Sequence, residues 1–129
     1  MEQKVLSVSF PPGFPPELAA EAFVHSGEAS WRPQLAIASI EWLGANGYAV
    51  LGTEVFIPQR GAIQSLPCFQ SVDREDDEEW NSFVTRAAAE TIVYLRTFKQ
   101  RLAAEGDVYI NLTWVNEPEF QSLKRTQST

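Results

Sequence analysis

Asp107-Val108-Tyr109-Ile110-Asn111-Leu112-Thr113-Trp114-Val115 alternates apolar with more polar side chains from Asp107 to Trp114. Val108, Ile110, Leu112 and Trp114 fall on one face and Tyr109, Asn111 and Thr113 on the other, the period of two of a strand whose successive side chains point to opposite sides. A strand with one wet face belongs to an antiparallel sheet, because parallel sheets are covered on both sides. The cover for its dry face lies just upstream. From about Asp76 to Ala104, the residues Trp80, Phe83, Val84, Ala87, Thr91, Leu95, Phe98 and Leu102 recur three and four apart, which places them on one stripe of a long helix. Arg86, Glu90, Arg96, Lys99 and Arg101 take the opposite stripe, so one side is buried and the other is in water. Glu105-Gly106 ends the helix.

Further upstream, Tyr48 to Ile57 reads as a strand, Pro58-Gln59-Arg60-Gly61 as a turn, and Ala62 to about Ser71 as the returning strand of a hairpin. Pro67 cannot donate a ladder hydrogen bond, which puts the second strand at an edge or at a bulge. A helix is expected from Ser30, as its cap, to Ala45, with Asn46-Gly47 as the left-handed stop. Leu35, Ile37, Ala38, Ile40, Trp42 and Leu43 make it largely apolar, and Trp31 and Trp42 are assigned to the core. Pro16 to Phe23 suits a short helix, and Lys4 to Phe10 a short strand or extended arm. Asn116 to Thr129 shows no period and little apolar content, which predicts a disordered tail. The expected fold is a single α+β domain over residues 1–115, with a small antiparallel sheet of three to four strands and two to three helices packed on one face.

Composition narrows the function classes. With 129 residues and 44% apolar content, the chain can build one core without staples. The single cysteine, Cys68, cannot close an intramolecular disulfide, which points to a reducing compartment and makes the cytoplasm the expected location. A signal peptide of the usual three-part kind is not expected, because Phe10-Pro11-Pro12-Gly13 breaks the only early apolar run. No stretch reaches the roughly 20 apolar residues of a membrane span. A net charge of −7 speaks against nucleic acid, whose phosphates need clustered Lys and Arg, and suits a basic protein partner.

The chemistry of most enzymes is missing. One histidine, His25, and one cysteine cannot supply a metal site built from several such ligands. No G-x-S-x-G elbow accompanies His25, so a hydrolase triad is not expected. Gly44-Ala45-Asn46-Gly47 follows a helix where a phosphate cradle would open one. Cys68 has no basic neighbour to make it a nucleophile. We expect no catalytic, cofactor-binding or metal-ligating residues, hence a non-enzymatic protein-binding domain.

Two features are candidates for partner binding. Asp73, Glu75, Asp76, Asp77, Glu78 and Glu79 gather just before the long helix. Two or three carboxylates suffice to complement the helix dipole and cap free N–H groups, whereas six repel one another, and a basic partner would relieve that repulsion. Glu54 stands mid-strand on the same face as Phe56. If that face is wet, the pair forms a recognition surface, and if it is dry, Glu54 must be paired.

Trp31, then Leu35-Ala36-Ile37-Ala38-Ser39-Ile40-Glu41-Trp42-Leu43, Asn46-Gly47-Tyr48 and Ala49-Val50-Leu51-Gly52-Thr53-Glu54-Val55-Phe56 resemble the immunity protein 40 family of bacterial polymorphic toxin systems. That family's pattern has a tryptophan opening a helix, an apolar helix ending in a turn, and a strand of the type I-L-G-G-D-V-Y. Gly52 and Glu54 match its first glycine and its acid, while Thr53 and Phe56 replace the second glycine and the tyrosine. The resemblance extends over about residues 14–115. It implies a bacterial α+β protein that neutralises a toxin by binding it, and the acidic composition suits a basic toxin such as a nuclease. The alternative is a small-ligand or accessory module whose wet sheet face, with Tyr109, Asn111 and Thr113, lines a pocket.

Overall fold

The computed structural model describes residues 9–25, 27–59, 62–104 and 108–127. The chain runs α1 (Pro16–Glu21), β1 (Phe23–His25), β2 (Glu28–Trp31), α2 (Pro33–Ala45), β3 (Ala49–Gln59), β4 (Ala62–Ser71), α3 (Trp80–Ala104), β5 (Tyr109–Val115) and α4 (Glu117–Gln127). The five strands form one sheet in the order β1-β2-β5-β3-β4, and every neighbouring pair is antiparallel. The fold is therefore α+β with an antiparallel sheet, as expected, and it has one strand and one helix beyond the expected range.

The alternating strand β5 lies at the centre of the sheet, where its period of two has most effect. Ile110 pairs with Trp31 on one side and Val55 on the other, and all three are fully buried. Ala36, Ile40 and Leu43 of α2 and Leu95 of α3 close over this row. Each large side chain so removed from water contributes about 1.5–3 kcal/mol. The indole N–H of Trp31 donates to the Leu18 carbonyl at 2.7 Å, which ties α1 to the sheet and satisfies the one polar atom of a buried ring. The α3 stripe is buried at Phe83, Val84, Ala87, Thr91 and Leu95; Phe98 and Leu102, expected on the same stripe, lie outside the residues whose side chains are described.

Several boundaries differ from expectation. Ser30 and Trp31 belong to β2, so α2 starts at Pro33 with Arg32 before it and no side-chain cap. Pro33 at the first turn, whose N–H needs no partner, begins the helix instead. At its other end Gly47 takes φ +86, the left-handed stop the sequence indicated. β4 is an edge strand, and its register against β3 slips between Glu54 and Phe56, opposite the segment that contains Pro67. Edge position and irregularity both accommodate a residue without an N–H.

The β1–β2 hairpin was not expected. His25 pairs with Glu28, and Gly27 between them has φ +78, a geometry glycine adopts without cost. Residues 117–127, expected to be disordered, form α4. Asn116 Oδ1 accepts the Glu119 N–H at 2.9 Å while Glu119 Oε1 accepts the Asn116 N–H at 2.8 Å, a reciprocal capping box. Phe120 then packs against Trp80 and Phe83, with ring centroids 5.5 and 5.7 Å away. Of the expected N-terminal strand, Lys4 to Val8 lie outside the described residues and Ser9 and Phe10 are not strand. Phe10 stacks on Phe14 at 5.0 Å.

Candidate protein-binding surface

The helices α2 and α3 pack on the Trp31–Ile110–Val55 side of the sheet, so alternation sends the neighbouring residues to the other side. One register row crosses all five strands: Phe23 pairs with Ser30, Ser30 with Asn111, Asn111 with Glu54, and Glu54 with the backbone of Phe69. Glu54 is exposed and Phe56 half-buried, so the wet-face alternative holds. Phe56 pairs with Tyr109, which meets Phe23 at 5.2 Å and carries the Arg32 guanidinium 5.8 Å from its ring centroid. An aromatic shelf thus runs beside the carboxylate.

Of the three outward residues on β5, Thr113 is exposed, Tyr109 half-buried and Asn111 only 4% exposed. Asn111 was expected in water. Its amide instead donates to the Ala29 carbonyl at 3.1 Å, so it fastens β2 to β5 beneath the surface. Above it opens a cavity of about 380 Å³ bordered by Glu28, Gly52, Glu54, Ser71, Asn111 and Thr113. A second opening, of about 520 Å³, shares Glu28 and Thr113 and extends past Tyr48 and Trp114 to Phe10 and Glu119. Glu28 went unnoticed in the sequence because the hairpin that presents it did. The signal was slight: Ser26-Gly27 suits a tight turn and Phe23-Val24 before it favours a strand, but Glu28-Ala29-Ser30 after it does not.

The acidic run is placed differently from expectation. It forms a turn before α3 and supplies no carboxylate to the first turn of that helix. Asp77 sits at φ +66, a conformation that interrupts a right-handed helix and that Asp tolerates better than most residues. Glu78 is turned inward and builds the turn. One of its oxygens accepts the Glu75 N–H at 3.0 Å, and Arg86 Nε and Nη2 reach its two oxygens at 2.9 Å each. The hydrogen-bonded guanidinium, helped by the Glu75 N–H, holds the Glu78 carboxyl down to about 2. Arg86 also reaches the Asp73 carbonyl at 2.7 Å and Glu90 at 3.0 Å, and Glu78 in turn raises the Arg86 pKa. Arg74 donates to the Glu78 carbonyl at 2.9 Å and lies over the Trp80 and Phe120 rings.

Part of the crowding is thus relieved within the chain. Asp73, Glu75, Asp76, Asp77 and Glu79 remain exposed. The structure gathers them at one end of the sheet, after β4, whereas Glu54 and Phe56 lie on the outer face. Among the described residues, no group of three or more His, Cys, Asp and Glu side chains could hold a metal ion. The side chains of His25 and Cys68 lie outside the described set.

A family model described as Immunity protein 40 matches residues 21–113, most of the chain. The chain belongs to the immunity protein 40 family. The match begins at the end of α1 and ends in β5, so it takes in β1 to β4, most of β5 and both helices of the inner layer, including Glu54 and the acidic turn. The partner class that the family name carries is a toxin protein. Neither a curated protein nor a solved structure matches the chain. Among the described residues no helix is long and apolar enough to cross a membrane.

Proposed function

We propose that the chain neutralises a cognate bacterial toxin by binding it, without catalysis of its own, and that it meets the toxin in the cytoplasm through an acidic surface. The family match over residues 21–113 carries this reading. The contact surface comprises the exposed acids Asp73, Glu75, Asp76, Asp77 and Glu79, with Glu78 as the residue that shapes their turn, together with Glu54 and Phe56. A basic toxin domain is the complement of a chain with net charge −7. The test is growth of a sensitive bacterial host that expresses a toxin domain taken from the neighbourhood of the chain's own gene. Co-expression of the chain restores growth under this reading, and continued killing with the chain present at equal or higher level refutes it.

The outer-face cavity of about 380 Å³ favours a second reading, a module for a small polar ligand. A thermal-shift panel of metabolites tests it: stabilisation by a single compound class at micromolar concentration supports it.

A further inference from the structure

We infer that the uncovered sheet face takes a lysine or arginine side chain of the toxin into the cavity between Glu28 and Glu54. The inference rests on the proposed toxin-binding function and names a contact within it. The cavity is bordered by Glu28, Gly52, Thr53, Glu54, Ser71, Asn111 and Thr113, so its ionisable groups are two carboxylates, both exposed. They reach it from strands on either side of β5, Glu54 from β3 opposite Asn111 and Glu28 from β2. Gly52 contributes no side chain to fill the space. At about 380 Å³ the opening has room for one long side chain.

Charge decides between occupants. A second copy of this chain laid face to face would bring the same two carboxylates and another net −7 against this one, which disfavours association. Nucleic acid is repelled for the same reason. A cationic side chain gains from both carboxylates, and the Asn111 and Thr113 side chains border the same space. Neither Glu28 nor Glu54 is engaged in the Arg86 network that organises the acidic turn, so the two surfaces can be tested separately.

The probe is the toxin domain that the chain protects against in the growth assay, inactivated at its catalytic residue and titrated by calorimetry against the full chain. Glu28→Gln and Glu54→Gln remove the charges at exposed positions, and Thr113→Arg places a competing cation inside the cavity. Each Gln variant is expected to weaken binding by about 30-fold and to flatten its salt dependence, and Thr113→Arg to weaken it at least as much. Glu41→Gln, at an exposed position on α2 outside both surfaces, is expected to change affinity by less than about 3-fold. Wild-type binding that all three cavity variants leave intact overturns this inference and leaves the toxin-binding function standing. No binding by the wild-type chain removes both. A free chain that sediments as a dimer and becomes monomeric on Thr113→Arg also overturns it, since the face would then be an interface between copies. If Thr113→Arg unfolds, the two Gln variants decide.

Discussion

Arg86 holds both carboxylate oxygens of Glu78 at 2.9 Å across eight residues of chain, and the pair fixes the acidic turn to the side of α3. The Glu78 carboxyl is lowered from 4.5 to about 2. A carboxyl whose pKa falls on folding stabilises the protein fully above its unfolded value, and that contribution is lost as pH falls through the folded one. Glu78→Gln is therefore expected to lower the melting temperature by a constant amount above about pH 5.5, with the gap to wild type closing between about pH 4.5 and pH 2. Paired thermal melts across that range check it. A gap of equal size at pH 7 and pH 2.5 would sink the assignment.

The other acids of the run behave oppositely. Asp73, Glu75, Asp76, Asp77 and Glu79 are exposed and mutually repulsive, so changing all five to Asn or Gln is expected to leave the melting temperature unchanged or raise it by a few degrees. Asn at 77 suits φ +66 at least as well as Asp. The same variant should slow association with a basic toxin about tenfold at low salt while changing dissociation little. Stopped-flow binding at two ionic strengths separates the two rates.

The elements legible in the sequence were those long enough to show a period. The α3 stripe repeats from Trp80 to Leu95, and β5 alternates from Val108 to Thr113 with Asn111 as its one buried exception. The β1–β2 hairpin has strands of three and four residues, too short to display a period, and with it went Glu28 and one side of the outer face. The acidic turn was visible as composition, yet its division of labour was not. Nothing local to Glu78 shows that Arg86, two turns into the next helix, will claim it and leave its neighbours free.

The α4 helix was missed for a different reason, because its signals are local chemistry and not hydrophobic period. Asn116-Glu117-Pro118-Glu119 spells a capping box with proline in the first turn, and Phe120 packs against the Trp80–Phe83 cluster. Asn116→Ala is expected to cost about 1 kcal/mol of helix stability and to speed amide exchange across 117–124 with little change elsewhere. Phe120→Ala uncovers Trp80 and should red-shift and weaken its fluorescence. An unchanged exchange pattern in Asn116→Ala would show that the box does not hold the helix.

Ser39 lies fully buried in α2, and its hydroxyl has no hydrogen-bond partner among the described residues. Alanine there removes an unsatisfied polar group and suits a helix better than serine. Ser39→Ala is expected to stabilise the chain by about 1 kcal/mol, roughly 3–5 °C in melting temperature. Calorimetric melts check it, and a loss of stability would mean that the hydroxyl has a partner after all.

Gly44 tests how closely the two inner helices approach. A Cβ built there falls 2.9 Å from the Ala88 Cβ, closer than two methyl carbons tolerate, and neither belongs to a flexible side chain that could swing away. In an exposed helix, Gly→Ala would gain about 1 kcal/mol. Here the clash forces α2 and α3 apart over the Ile40–Leu95 core, a strain of about 1–3 kcal/mol, so Gly44→Ala should be neutral to destabilising. Ala88→Gly alone should cost about 1 kcal/mol through helix propensity. In the double variant Gly44→Ala with Ala88→Gly, the displaced methyl has room again, and stability should exceed the sum of the single effects by about 1 kcal/mol or more. Strict additivity in urea melts of the four proteins would mean that the helices are not in contact at this point.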